Sequence, residues 1–204
     1  YTCAVLDDGQ ALCFGSGSLC RRGSDSTSSC GDGTDPARIT ASCIPILPLS
    51  DYTLAAFAAR ASTCSISASA TVACWGSNAQ GQIGSGNSNT VGDDETASSI
   101  AAVSLPSNTD AVALFMGPQH TCALLQGGQL SCWGNAAEGR LGYGDDTTAP
   151  GRSSTPASAG NLAVRTGSTV LALSLGEGHS CGLYDSDSVC RSRSVVCWGR
   201  NDAG

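Results

Sequence analysis

The sequence predicts an all-β fold built from tandem hairpin units, each stapled by a cystine. Three observations predict it. Of 204 residues, 26 are Gly and only 13% are charged, a mix that disfavours long amphipathic helices and suits short strands and turns. A short motif recurs four times, with leading cysteines at 3, 64, 122 and 181 and spacings of 61, 58 and 59. Twelve Cys occur without a C-x-x-C spacing, which points to disulfides in an oxidising compartment rather than to a metal site.

The four copies are Thr2-Cys-Ala-Val-Leu…Leu12-Cys-Phe-Gly15, Thr63-Cys-Ser-Ile…Ala73-Cys-Trp-Gly76, Thr121-Cys-Ala-Leu-Leu…Ser131-Cys-Trp-Gly134 and Ser180-Cys-Gly-Leu…Val196-Cys-Trp-Gly199. Every Trp fills one slot (Trp75, Trp133, Trp198), with Phe14 there in the first copy. Each copy reads as a hairpin. Cys122 and Leu124 alternate with Ala123 and Leu125, and both sets are apolar, as in a strand buried on both faces. Gln126-Gly127-Gly128 is its turn and Asp7-Asp8-Gly9 the counterpart in copy one. A third strand precedes the hairpin, visible as Ala111–Met116 and Thr169–Leu175.

Cysteines ten apart and symmetric about the turn face each other across the hairpin, about 4.5–5.5 Å apart, a gap a disulfide spans. The expected pairs are Cys3–Cys13, Cys64–Cys74 and Cys122–Cys132. In copy four the insertion Asp185–Arg193 carries Cys190. Cys181–Cys197 is the choice by analogy and Cys181–Cys190 the competitor. In the Ser/Gly/Cys-rich insertion at 16–43, Cys20–Cys30 is a local bridge candidate, leaving Cys43 and Cys190 to pair together or with another chain. Seven residues after the second Cys comes Gly81-Gln-Ile-Gly84 or Gly139-Arg-Leu-Gly142, with Cys20-Arg-Arg-Gly23 at that offset in copy one and Gly204 in copy four. Tyr1 stands in the slot of His120 and His179. The chain therefore reads as one array over 1–204: a partial repeat at 1–23 with the insertion at 16–43, repeats at 44–103 and 104–161, and a partial repeat at 162–204, expected to be a piece of a longer chain.

Charge excludes several functions. The net charge is −7 and all ten basic residues are Arg, dispersed except for Arg21-Arg22. Nucleic-acid binding needs a basic face, so it is not expected. Without Lys there is no Schiff-base or P-loop chemistry, and the glycines of Gly81–Gly86 read as turns. No segment approaches the roughly 20 apolar residues of a membrane span. His120 and His179 repeat at one slot, which argues for packing or a turn hydrogen bond over metal binding or catalysis. Asp7-Asp8, Asp93-Asp94-Glu95 and Asp145-Asp146 read as solvated turns, since no Ca²⁺-loop spacing accompanies them. No Ser–His–acid grouping stands out, and the reading assigns no catalytic residue, metal or cofactor. The Ser/Thr/Pro-rich loop at 143–161 makes Thr147, Thr148, Ser153, Ser154 and Thr155 candidate O-glycosylation acceptors, with a bare flexible loop the equal alternative.

The pattern Gly-x-x-x-His-[Ser/Thr]-Cys-x-Leu…Cys-Trp-Gly-x-Asn-x-x-Gly-x-[Ile/Leu]-Gly-x-Gly resembles the regulator-of-chromosome-condensation type repeat. Gly117 to Gly144 nearly covers it; Asn78 is in place and Asn135 sits one position early. The resemblance implies β-propeller blades, here a partial or open propeller. The Cys-paired form with a period near 60 is similar to repeats of secreted algal mastigoneme-type proteins, Gly92-Asp93 fitting an element found there. The expected function is a structural repeat module of an extracellular fibre or surface appendage, with other protomers or the rest of the same chain as partners, and glycans as further ones. The alternatives are a secreted propeller that binds a protein or glycan through rim loops, and an intracellular exchange factor for a small GTPase.

Overall fold

The computed structural model describes residues 2–5, 11–14, 53–59, 62–91, 100–106, 109–162, 167–186 and 192–202. Among the described residues, eleven strands lie in four antiparallel sheets: β1 (Thr2–Val5) and β2 (Ala11–Phe14); β3 (Thr53–Ala59), β4 (Ser62–Ser67) and β5 (Val72–Gly76); β6 (Ala111–Met116), β7 (His120–Leu125) and β8 (Leu130–Gly134); β9 (Ser168–Leu175), β10 (His179–Ser186) and β11 (Ser192–Gly199). Each three-stranded sheet is an up-and-down meander in chain order, the form of a propeller blade. The all-β, propeller-type fold expected from the sequence is the fold observed. The third strand of copy four starts one residue earlier than predicted, at Ser168, and copy two has its own third strand at Thr53–Ala59.

The register explains the cysteine spacing. Cys64 stands opposite Cys74, Cys122 opposite Cys132, and Cys181 opposite Cys197. Each of these pairs is a disulfide, with Cα–Cα separations of 4.1, 4.1 and 4.0 Å. Such closeness belongs to the non-hydrogen-bonded pairs of an antiparallel ladder, where side chains approach best. The backbone also puts Cys3 opposite Cys13. In copy four the insertion lengthens the hairpin: Asp185 pairs with Arg193 and Ser186 with Ser192, leaving the register at the cystine unchanged.

The turns are made in two ways. Between β7 and β8, Gly127 and Gly128 both take positive φ. Between β4 and β5 no Gly is available. Ala70 adopts φ 61, and the Ser67 hydroxyl accepts from the Thr71 backbone N–H at 3.1 Å.

First strands of successive blades touch: β3 meets β6 and β6 meets β9. Each carries a β-bulge, at Leu54, Val112 and Leu171, 58 and 59 residues apart. Linking segments return along the outer strands. Gly76 and Val91 exchange backbone hydrogen bonds, the Val103 N–H donates to the Val72 carbonyl, and the Leu162 N–H donates to the Leu130 carbonyl. Two apolar clusters form the core, and both lie between blades. One joins Cys64, Ile66, Val72 and Cys74 to Leu114, Leu125 and Trp133. The other joins Cys122, Leu130 and Cys132 to Val170, Leu173 and Tyr184. The second and third blades thus turn their cystine faces to the blade that follows, and the third and fourth turn their Trp faces to the blade before. That is why both faces of these strands read as apolar.

Candidate functional site: the blade seams

The two seams are built from the same parts. In the Gly81-Gln-Ile-Gly84 turn, the Gln82 carbonyl accepts the Trp133 Nε1–H at 3.0 Å and the Thr121 hydroxyl at 2.9 Å. One blade later, the Arg140 carbonyl of Gly139-Arg-Leu-Gly142 accepts the Trp198 Nε1–H at 3.0 Å and the Ser180 hydroxyl at 2.8 Å. The variable position of the Gly-x-[Ile/Leu]-Gly motif therefore supplies a backbone acceptor, which any residue type carries. Two donors from the following blade meet it in a buried site, where an unpaired carbonyl would be costly. The last Gly of each motif lets the indole approach. A Cβ on Gly84 would lie 3.0 Å from Trp133 Nε1, and one on Gly142 would lie 2.8 Å from Trp198 Nε1.

The seam between the third and fourth blades adds a polar cluster. His120 is buried, and its Nε2 lies 2.9 Å from the Ser180 hydroxyl oxygen. That hydroxyl already donates to Arg140, so Nε2 is the protonated nitrogen and donates to it. Nδ1 has no hydrogen-bond partner and packs beside Gly117, where a Cβ would sit 3.1 Å away. Burial, the Arg140 cation and His179, in that order, push the His120 pKa down to about 4. The ring is neutral at neutral pH. The buried Arg140 guanidinium donates to the Glu177 carbonyl at 2.7 Å, the Ala137 carbonyl at 2.8 Å, Gln119 Oε1 at 3.2 Å and the Glu138 carboxylate at 3.1 Å. It ties the two blades together and is not offered to an external anion.

The two Asn of the motif do different work. Asn78 is buried: its side-chain N–H groups donate to Ser85 and to the Asn87 carbonyl, and its oxygen accepts from the Ile83 N–H, shaping the 78–87 turn. Asn135, one position early, donates to Gln119 and accepts from the Ala137 N–H.

The loop at 143–161 is not free. Tyr143 donates its hydroxyl to the Cys132 carbonyl at 3.0 Å and so caps the edge of β8. Burial raises the Tyr143 pKa, opposed by the hydrogen bond its oxygen accepts from the Cys132 N–H. The Gly134 N–H donates to the Pro150 carbonyl and the Gly86 N–H to the Gly151 carbonyl. Gly81 and Gly151 meet backbone to backbone: a Cβ on Gly81 would stand 2.4 Å from the Arg152 nitrogen. A one-turn helix, Pro156–Ala159, follows, and the Ala157 N–H donates to the Ser104 carbonyl. The stretch forms a strap across the seam between the second and third blades, because small residues let two backbones touch. Of the candidate acceptors, Ser153 and Ser154 are exposed, Thr155 is half-buried, and the Thr147 and Thr148 hydroxyls both donate to Asp145. Bonds from the Thr148 and Thr147 backbone and hydroxyls hold the Asp145 pKa down at about 2.

A cleft of about 260 Å³ is lined by apolar and small polar residues, among them Ile83, Val91, Ile100 and Thr155, with no charged side chain. No group of three or more potential metal ligands occurs among the described residues. No helix there is long and apolar enough to cross a membrane. Cys20, Cys30, Cys43, Cys190, the 16–43 insertion, Asp7-Asp8-Gly9 and Gly92 to Glu95 lie outside the described residues. Sequence reasoning found the Trp, Cys and His slots. It missed Gln82, Arg140, Thr121 and Ser180 as seam groups. The available signal was the Ser/Thr that precedes every leading Cys.

Residues 111–140 match the family described as the regulator of chromosome condensation (RCC1) repeat. No curated protein matches the chain. Among solved structures, yeast RCC1 (Prp20), in a complex with Kap60, superimposes with a TM-score of 0.60 at 15% identity, over 98% of this chain and 47% of its own. Human WBSCR16 gives 0.58 at 17% identity, over 74% of this chain and 33% of its own. The ectodomain of the Physcomitrella patens receptor kinase CR4 gives 0.53 at 19% identity, over 97% and 38%. The chain spans between a third and a half of the length of these structures. With a segment at 111–140 that matches the RCC1 repeat, blades in sequential meanders and one seam chemistry used twice, this chain has the β-propeller repeat fold of these structures, with cystine-paired hairpins.

Proposed function

We propose that this chain is a structural, non-enzymatic repeat module of an extracellular fibre or surface appendage that works through protein–protein contacts. One observation carries the reading. The cystines at Cys64–Cys74 and Cys122–Cys132 sit, buried, in the faces through which blades pack on one another. A packing surface made of disulfides suits a compartment where thiols stay oxidised. Stapled hairpins also stabilise small blades that have few other strong interactions. An ectodomain with similar architecture, that of the receptor kinase CR4, supports placement outside the cell. Yeast RCC1 in complex with Kap60, and Prp20p with its binding properties to Gsp1p and histones, support protein partners as the class of ligand. They also favour an intracellular reading, which thiol state separates from this one. Peptide mapping of the native protein without reductant is expected to recover a linked Cys122–Cys132 peptide. Free thiols at both positions overturn the extracellular assignment.

A further inference from the structure

The stretch at 143–161 carries six Ser and Thr hydroxyls, and their surroundings differ. Thr147 and Thr148 donate theirs to the Asp145 carboxylate at 3.1 and 2.7 Å. Ser158 donates to the Thr155 carbonyl at 2.7 Å. Thr155 is half-buried against Gly86, where a Cβ would stand 3.4 Å from the Thr155 methyl carbon. Ser153 and Ser154 are exposed, and among the described residues no hydrogen bond engages either hydroxyl. They sit on the crest of a turn whose base is fastened to two blades. The Gly151 N–H donates to the Ser154 carbonyl, and the Pro150 and Gly151 carbonyls accept from the Gly134 and Gly86 N–H groups. Pro156 then opens the one-turn helix. We propose that Ser153 and Ser154 are O-glycosylation sites, acceptors of a sugar transferred from a nucleotide-activated donor by a glycosyltransferase of the secretory pathway.

Composition and geometry support this separately. A Ser/Thr-rich stretch with Pro is the kind that carries O-linked sugars, and the geometry leaves two of its hydroxyls both open and unengaged. In the transfer, the Ser Oγ forms a bond to the anomeric carbon of the sugar. The bond from that carbon to the nucleoside diphosphate breaks, the diphosphate leaves with the electron pair, and the hydroxyl proton passes to a base of the transferase. At Thr147 or Thr148 the same step first takes a hydroxyl away from Asp145. At Thr155 it meets a half-buried residue. At the crest it displaces no hydrogen bond of either hydroxyl. The strap crosses a seam whose two blades are both present, the second and the third, so the crest stands outside the packed faces. A sugar there is bulky and hydrated, and it stands beside the uncharged cleft that Thr155 lines. The inference rests on the extracellular reading above and adds a modification to it.

Trypsin separates the candidate acceptors. Cleavage after Arg140, Arg152 and Arg165 puts Thr147 and Thr148 in one peptide, 141–152, and Ser153, Ser154, Thr155 and Ser158 in the next, 153–165. The native protein, purified from its source without reductant, is digested and fragmented by electron transfer, which keeps a sugar on its residue. Monosaccharide mass increments are expected on Ser153, Ser154 or both, with 141–152 bare. Neither hydroxyl holds the fold, so the double variant Ser153→Ala, Ser154→Ala, secreted by the same cells, is expected to lose the whole increment with unchanged circular dichroism and Tm. Sugar confined to Thr147, Thr148, Thr155 or Ser158 overturns the site, as does a bare 153–165. Phosphate in place of sugar on Ser153 or Ser154 overturns it as well. The same digest reads the cysteines. A bare 153–165 beside a linked Cys122–Cys132 peptide overturns the glycan alone. Free thiols at both cysteines overturn the compartment on which it rests.

Discussion

Lowering the pH from 7 to 5 should weaken this fold through His120. The imidazole is buried, its Nε2–H donates to Ser180, and Nδ1 has no partner. A second proton would enter at Nδ1, in a dry site beside the Arg140 cation, and burial is the largest reason it is resisted. The pKa is therefore lowered from 6.5 to about 4 on folding. Between those values the unfolded chain binds the proton and the folded chain does not. The stabilising contribution is complete above pH 6.5 and falls away as the pH drops toward 4. The full shift corresponds to about 3 kcal/mol, of which about 2 kcal/mol is lost between pH 7 and pH 5. Equilibrium urea unfolding at several pH values, followed by Trp fluorescence, measures this directly. His120→Gln keeps a side-chain N–H donor and removes the titration, so its stability should change by less than about 0.5 kcal/mol over that interval. A wild type whose stability is flat from pH 7 to pH 5, or a Gln variant that loses as much, refutes the argument.

Gly142→Ala should cost about 2–3 kcal/mol, from a positive φ and a Cβ 2.8 Å from Trp198 Nε1; a red-shifted Trp emission and a lowered Tm would report it. Replacing Cys122 and Cys132 together by Ala should cost roughly 3 kcal/mol by loop entropy alone, read as a lower urea midpoint than wild type without reductant. Ala70→Gly should stabilise by up to about 1 kcal/mol, because Ala70 sits at φ 61 and Gly relieves that strain; a rise in Tm would show it. Thr121→Val keeps the shape and removes one of the two side-chain donors to the Gln82 carbonyl, for an expected loss of about 1 kcal/mol by urea unfolding.

The sequence by itself determined the unit and its register. Hydrogen-bonded hairpins pair residues symmetrically about a short turn, so cysteines ten apart could be placed opposite each other without coordinates. Alternation of two apolar sets along residues 122–125 showed that both faces of the strand are covered. It did not show by what. Only the tertiary structure decided that, because a seam joins residues 39 to 60 apart in the chain, and its acceptor is a backbone carbonyl with no side-chain signature. The same limit hid Arg140, whose cation looks like a solvated surface charge in sequence and is a buried tie in the fold. It also hid the strap at 149–157, where composition shows small polar residues and the structure shows two glycine backbones in contact. Local periodicity fixes what a strand hides; only packing between blades reveals what hides it.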